Sequence, residues 1–177
     1  IGIELIRVLN QEGVRIFSIE QARNKAEKIG MNKNYVPEAI HHLNINGWIV
    51  PLKRGLYAIS SSLPGVAPVH EFEVAMALVK EAAISHWSAL HYHGLTDQVP
   101  RLVYVTTVAG NPVPQVRGKN REKSKSGYPA GDTVYRFVQI KRERFFGTEK
   151  VWVGDSRIQI TDPERTLLDG LAKLRYC

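Results

Sequence analysis

Three histidines, His86, His91 and His93, stand close together in the sequence, and imidazole is the commonest metal ligand among side chains. The local pattern predicts that all three lie on one helix. There, His86 and His93 are seven positions apart and share a face, whereas His91 lies well around the axis. No acidic side chain accompanies them at helical spacing, which is poor zinc geometry. We therefore expect these histidines to cap or pack a helix.

Carboxylates form the second candidate cluster, at Asp162, Glu164 and Asp169. Paired carboxylates can hold the divalent ions of a nuclease. Asp162 and Glu164, however, have the positions expected at the start of a helix, and no lysine follows them in a nuclease-like strand motif. The sequence also lacks a phosphate-binding glycine loop and a Gly-x-Ser-x-Gly elbow. We expect no catalytic residue, metal or cofactor, and a nuclease-like, nucleic-acid-processing C-terminal domain remains the alternative.

The composition is that of an ordinary globular protein, with 177 residues of which 44% are hydrophobic and 23% charged. No apolar run is long enough to cross a bilayer, and the first residues lack the pattern of a secretory signal. The single cysteine, Cys177, fits a reducing compartment, so we expect a cytoplasmic protein without a membrane partner. The net charge of +7 favours a polyanionic partner.

Helical periodicity and capping signals predict three helices near the N-terminus. The first covers residues 2–10. The second begins at a capping box, Ser18 to Gln21, and runs to about Lys28. The third is capped by Asn34, because Pro37 then falls in the first turn, where its missing N–H is tolerated.

Two short β segments, 48–52 and 56–59, follow these helices and are joined by the basic turn Lys53-Arg54-Gly55. Such a pair with a glycine-containing turn predicts a hairpin. Three helices followed by a basic hairpin is the order of a winged helix-turn-helix, in which the hairpin is the wing. The sequence therefore predicts a winged helix-turn-helix DNA-binding domain over residues 1–60.

The major groove of B-DNA admits one helix, whose exposed face must carry donors and acceptors for base edges. The third helix, the turn before it and the tip of the wing supply such groups. The candidate DNA-binding residues are Lys33, Asn34, Tyr35, Glu38, His41, His42, Lys53 and Arg54. A winged helix that serves only protein contacts is the alternative, since Glu38 repels phosphate unless it accepts from a cytosine amino group.

A stretch containing proline, glycine and serine predicts a linker over 61–69. The remainder, 70–177, is predicted to be an α+β domain, so that the fold class is α+β: a winged helix-turn-helix followed by a mixed α/β C-terminal domain. Helices are expected over 71–82, over 86–93 with Ser85 as the cap, and from the Thr161-Asp162-Pro163-Glu164 segment onward; strands are expected over 102–105, 134–140, 150–153 and 157–160. No apolar closing element follows the last helix, which predicts that the natural protein continues and that this domain is truncated at its C-terminus.

A strongly basic segment lies between the first two of these strands, with five Lys/Arg against one Glu. It has no apolar anchor and is typical of an exposed loop. The loop either contacts a phosphate backbone or is simply solvated. Its cations are Arg117, Lys119, Arg121, Lys123 and Lys125.

Four segments of the chain resemble, in their order, the AbiEi-type antitoxins of bacterial type IV toxin–antitoxin systems, which are also transcriptional regulators. These segments are 52–57, 84–95, 103–106 and 160–171. The more specific pieces are Ser-Ala-Leu-x-x-x-Gly-Leu in the second segment and Asp-Pro-Glu-Arg-Thr-Leu-Leu-Asp in the fourth. Together the four segments span almost the whole chain.

The resemblance implies an N-terminal domain that binds inverted repeats in the promoter of its own operon and represses it. It also implies a C-terminal domain that counteracts a nucleotidyltransferase-like toxin encoded beside it, without a stable complex. We expect no enzymatic activity. On this chain, the third helix and the wing are then the elements expected to bind DNA. The block from Ser85 to Leu95 becomes structural rather than catalytic.

Overall fold

The computed structural model describes residues 2–116 and 127–177. It divides the chain into two compact units, Ile1–Val69 and His70–Cys177. The segment expected to be a linker, 61–69, belongs to the first unit. Both units combine helices with a sheet, which confirms the mixed α+β class.

The first unit contains three helices and a small antiparallel sheet. Its elements are α1 (Gly2–Gln11), β1 (Ile16–Ser18), α2 (Ile19–Lys28), α3 (Val36–Ile45), β2 (Ile49–Lys53) and β3 (Leu56–Ile59). The strand order is β1-β3-β2. β1 was not predicted, because three residues are too few to show the alternation of a strand.

The start of α2 is the predicted capping box. The amide of Gln21 donates to Ser18 Oγ at 3.1 Å, and the amide of Ser18 donates to Gln21 Oε1 at 2.8 Å. Two orphan amides at the helix end are thereby satisfied. The apolar stripes of the three helices meet the sheet in one core, whose fully buried members include Leu5, Leu9 and Phe17.

The expected cap of α3 was wrong. Asn34 does not cap the helix; it lies within a single 3-10 turn, Lys33–Tyr35, that precedes α3. Asn32 caps this turn, since its Oδ1 accepts from the Asn34 amide at 2.9 Å. The 3-10 turn displaces the capping position by two residues, and Pro37 still falls in the first turn of α3, as predicted.

The second unit is built on a six-stranded mixed sheet, in the order β6-β7-β5-β4-β9-β8. Its elements are α4 (Glu71–Leu78), β4 (Ala82–Ile84), α5 (His86–Tyr92), β5 (Val103–Val108), β6 (Tyr128–Ala130), β7 (Thr133–Ile140), β8 (Thr148–Val153), β9 (Ser156–Thr161) and α6 (Pro163–Ala172). β5 pairs with β7 in parallel, as β4 does with β9, while the other pairs are antiparallel.

The helix expected over 71–82 is shorter than predicted. It ends at Leu78, and Ala82–Ile84 instead forms the short strand β4 in the interior of the sheet. All three residues of β4 are buried. Alanine favours helices in isolation, but burial between two neighbouring strands overrides that local preference here.

The four strands predicted for this unit are all present, with modest shifts of their ends, and β4 and β6 are additional strands. α6 begins within the predicted segment, and its cap is Asp162. No helix in residues 2–116 and 127–177 has the length and apolar character needed to cross a membrane.

Candidate nucleic-acid interface

α3 presents one apolar and one polar face. Val36, Ile40 and Leu43 are buried against the rest of the first unit. Glu38, His41 and His42 are exposed, as the sequence analysis expected of its candidate reading residues. The helix therefore offers a polar, solvent-facing surface that combines a carboxylate with two imidazoles.

The polar face of α3 is only weakly organised by contacts within it. His42 Nε2 lies 3.8 Å from Glu38 Oε1, and the two side chains are 60% and 61% exposed, respectively. An exposed pair at this distance holds neither side chain firmly. His41 and His42 lie with ring centroids 5.9 Å apart. These side chains are therefore accessible to a partner.

The turn between α2 and α3 places further polar groups beside this face. Lys33, Asn34 and Tyr35 form the 3-10 turn, and all three are exposed. Lys33 and Asn34 also line a shallow depression of about 520 Å³ whose other walls come from α2. One of those walls is Arg23, an exposed cation that the sequence analysis did not single out. Its signal was available, because buried Ala22 and Ala26 leave Arg23 on the outer face of α2.

The remaining candidates lie at the turn of the β2–β3 hairpin. Gly55 adopts a φ of +74°, a conformation that glycine accepts readily and that closes this turn. Arg54 is exposed, and Lys53 is half-buried. The amide of Ile19, the first residue of α2, donates to the Gly55 carbonyl oxygen at 2.9 Å. This hydrogen bond ties the basic turn to the helix that precedes α3.

The predicted residues of the first unit therefore occur on two supports: Lys33 to His42 on α3 and the turn before it, and Lys53 with Arg54 on the hairpin. The basic segment that carries Arg117, Lys119, Arg121, Lys123 and Lys125 lies outside the described residues. Its expected phosphate contacts stay a prediction.

The three candidate histidines of the second unit, His86, His91 and His93, lie in different environments. His91 is exposed on α5, whereas His93 Nε2 lies 2.7 Å from the carbonyl oxygen of Thr161. His86 is buried, and its Nδ1 lies 2.9 Å from Ser85 Oγ. Within residues 2–116 and 127–177, no group of three or more His, Cys, Asp or Glu side chains is arranged to hold a metal ion.

The three candidate carboxylates, Asp162, Glu164 and Asp169, all belong to α6 or its cap. Asp162 Oδ1 accepts from the amide of Arg165 at 2.7 Å, which is an N-cap. Asp169 Oδ1 accepts from Arg165 Nε at 2.8 Å, and Glu164 is exposed in the first turn. Asp162 and Asp169 thus each have a structural partner within the same helix.

His86 has an unusual environment. Its φ is +52°, in a region that few non-glycine residues adopt, although histidine is enriched there. Burial lowers the pKa of His86 from 6.5 to about 4, an effect that the Asp169 carboxylate opposes. The Thr106 hydroxyl donates to Ser85 Oγ at 2.8 Å, so a buried hydroxyl chain leads to the imidazole. Sequence analysis selected His86 but gave no signal of this geometry.

No protein-family model matches the chain, and no curated protein is significantly similar to it in sequence. Among solved structures, the chain is similar to the RV2827C protein from Mycobacterium tuberculosis, with a TM-score of 0.55 and 17% sequence identity. The match covers 77% of this chain and 43% of that one, so the chain spans less than half of that protein's length. At this identity, the likeness concerns the fold alone.

Proposed function

We propose that the first unit is a winged helix-turn-helix that binds double-stranded DNA, and that the chain is a transcriptional autorepressor and antitoxin. The observation that carries the DNA-binding part is the arrangement of the first unit. α2 and α3 are joined by a short turn, α3 has an exposed polar face, and the following hairpin has a basic turn hydrogen-bonded to the start of α2.

In this proposal, α3 lies in the major groove. Asn34 and the exposed imidazoles of His41 and His42 supply donors and acceptors to base edges. Glu38 accepts from a cytosine amino group, which is the base contact that a carboxylate makes well. Its charge then rejects other bases, so Glu38 contributes to specificity more than to affinity.

Cations around the helix bind the phosphate backbone and set the position of α3 in the groove. Lys33 and Arg23 lie beside the N-terminal end of α3, and Lys53 and Arg54 act from the wing. A phosphate contact carries no sequence information, but each one releases counterions and strengthens binding at low salt.

The antitoxin part of the proposal depends on the four segments that resemble AbiEi-type antitoxins. Three of these segments fall in the second unit, on β4 with α5, on β5, and on β9 with α6. The partner expected from the resemblance is a nucleotidyltransferase-like toxin encoded by the adjacent gene. The second unit counteracts that toxin without a lasting complex.

The DNA-binding proposal is tested by fluorescence anisotropy with a labelled duplex from the promoter of the chain's own gene. We expect the logarithm of affinity to fall linearly with the logarithm of salt concentration, by about 0.9 per phosphate neutralised. Arg54→Ala should weaken binding about tenfold and reduce the magnitude of the salt slope by about one. Arg157→Ala removes another exposed positive charge, from the second unit, and is the matched control.

Two outcomes would overturn the proposal. One is wild-type protein that binds a shuffled duplex as tightly as the promoter. The other is an Arg54→Ala protein that retains both the wild-type affinity and the wild-type salt slope.

The antitoxin proposal has its own test, which is the growth of cells that express the adjacent nucleotidyltransferase with and without this chain. We expect co-expression to restore growth, and Arg54→Ala to restore it equally while it loses promoter repression. Growth arrest that persists in the presence of the wild-type chain would contradict the antitoxin role and leave the DNA-binding proposal intact.

A further inference from the structure

The second unit contains a cleft of about 570 Å³ between α6 and the end of β7. Its volume falls within the range of pockets that bind small molecules. One wall is apolar and comprises Val138, Ile140, Phe146, Leu168 and Ala172. Phe146 and Leu168 are 58% and 56% exposed, so two large apolar side chains remain open to a ligand.

Phe146 is held in place by a charged neighbour. The Arg165 guanidinium lies 4.7 Å from the centroid of its ring, and Arg165 Nη1 donates to the Phe146 carbonyl oxygen at 3.1 Å. One face of the ring is thus occupied by Arg165. The opposite face is a suitable platform for a second planar group, since offset stacking favours flat, apolar partners.

The cleft also carries a net positive charge. Lys141, Arg144 and Lys173 line it, while the charges of Arg165 and Asp169 offset each other. Among the described residues, Lys141 and Arg144 have no ion-pair partner, and both are exposed. Cations in this arrangement favour an anionic group at the rim of the cleft.

The buried His86 contributes a polar group from the interior side of the cleft. Its Nδ1 lies 2.9 Å from Ser85 Oγ, which also accepts from the Thr106 hydroxyl at 2.8 Å. His86 is only 2% exposed, so it forms part of the floor of the cleft.

We propose that this cleft binds a nucleoside phosphate, with the base stacked on Phe146 and the phosphates on Lys141, Arg144 and Lys173. A flat body with apolar faces and an anionic end together meet both demands of the cleft. The site lies wholly within the second unit and is independent of the DNA-binding proposal.

Isothermal titration calorimetry of the full chain with ATP, GTP, CTP and UTP tests the proposal. Adenosine, which has no phosphate, and tripolyphosphate, which has no base, are the matched probes. At least one nucleotide should bind about tenfold more tightly than either probe, since each lacks one of the two recognised ends. Phe146→Leu and the Lys141→Ala/Arg144→Ala double variant should each weaken that binding about tenfold.

The Lys150→Ala/Arg157→Ala variant removes two exposed charges from the same unit and should bind nucleotide like the wild type. All substituted side chains are exposed, so thermal melting is expected to show folded proteins. The proposal is overturned if no nucleotide binds at millimolar concentration, if tripolyphosphate binds as tightly as every nucleotide, or if both cleft variants bind like the wild type. Promoter binding by the cleft variants should be unchanged.

Discussion

His93 Nε2 lies 2.7 Å from the backbone carbonyl oxygen of Thr161, and this contact joins the end of α5 to the end of β9. The two residues are 68 positions apart in the sequence. His93, a candidate metal ligand by residue type, therefore connects the end of a helix to the end of a strand.

Replacement of His93 by alanine should lower the free energy of unfolding by about 0.5–1.5 kcal/mol, because the Thr161 carbonyl loses one of its two donors and keeps only the Thr166 hydroxyl, at 3.2 Å. Urea denaturation followed by circular dichroism measures the change. His91→Ala is the control, since His91 is exposed on the same helix. Equal losses for the two variants would show that the contact with Thr161 adds nothing.

Arg165→Lys should be strongly destabilising although it preserves the charge. The guanidinium donates to Asp169 Oδ1 and to the carbonyl oxygens of Arg144 and Phe146. An ammonium group cannot reproduce this fork, and the side chains of Arg165 and Asp169 are only 9% and 13% exposed. We expect a loss of about 3 kcal/mol in urea denaturation.

The comparison for Arg165 is Arg142→Lys, at the exposed pair that Arg142 forms with Glu81. Its effect on the unfolding midpoint should be much smaller. If the two arginine variants unfold at the same urea concentration, the buried network does not stabilise the unit.

Gly147 tests close packing against α6. Its φ is +65°, and an added Cβ would lie 2.8 Å from Arg165 Cβ and 3.3 Å from Asp162 Oδ2. Gly154 has a similar φ of +58°, but nothing lies within 4 Å of its added Cβ. Both alanine variants incur the backbone penalty of about 1–2 kcal/mol. Gly147→Ala should lose about 1–3 kcal/mol more than Gly154→Ala in the same denaturation assay, and a negligible difference would contradict the close approach.

His86 should make the second unit less stable in acid. Its pKa is lowered from 6.5 to about 4 by burial and by the charges of Lys173 and Arg165, against the opposing effect of Asp169. The folded protein keeps the imidazole neutral, whereas the unfolded chain binds a proton below pH 6.5. Stability is therefore fully present above pH 6.5 and declines by roughly 3 kcal/mol as the pH falls toward 4.

His86→Asn isolates that effect, because asparagine tolerates the left-handed backbone and does not titrate. The free energy of unfolding of this variant should fall less between pH 7 and pH 4 than that of the wild type. His91→Asn is the matched control and should retain the wild-type pH dependence. If the free energy of unfolding depends on pH in the same way for the wild type and His86→Asn, the prediction is wrong.

Glu38→Gln should relax DNA selectivity if α3 reads the major groove as proposed. The loss of a carboxylate removes repulsion of phosphate and strengthens binding to a shuffled duplex, while the promoter gains less or loses a cytosine contact. We expect the ratio of the promoter affinity to the shuffled-duplex affinity to fall about fivefold or more, which is the discrimination that one base contact provides. Glu164→Gln, an exposed carboxylate of α6, should leave the ratio unchanged.

Local signals predicted the elements whose stabilising partners lie nearby in sequence. The reciprocal bonds of Ser18 and Gln21 span three residues, and the N-cap of α6 at Asp162 does the same. The start of α3 could not be placed correctly, because the preceding 3-10 turn, which Asn32 caps, leaves no distinct mark in the sequence.

Features that depend on distant partners were missed. β4 is too short to show alternation, and it exists because β5 and β9 flank it. The cleft near His86 combines residues from β7, from the segment before β8 and from α6, so no local pattern could reveal it. Of the candidate DNA-binding residues, periodicity correctly predicted the exposure of Glu38, His41 and His42 but not the hydrogen bond that ties Gly55 to α2.

The position of β4 has a consequence for biosynthesis. Its Ile84 carbonyl oxygen accepts from the hydroxyl of Thr161, 77 residues later, and its strand partner β9 ends at the same residue. At ribosomal rates of about 5–20 residues per second, the nascent chain awaits this partner for roughly 4–15 s. The first unit, complete at Val69, has emerged well before that time. We therefore expect the first unit to fold before the second, in the order of their translation, since domains generally fold as units from the N-terminus during synthesis.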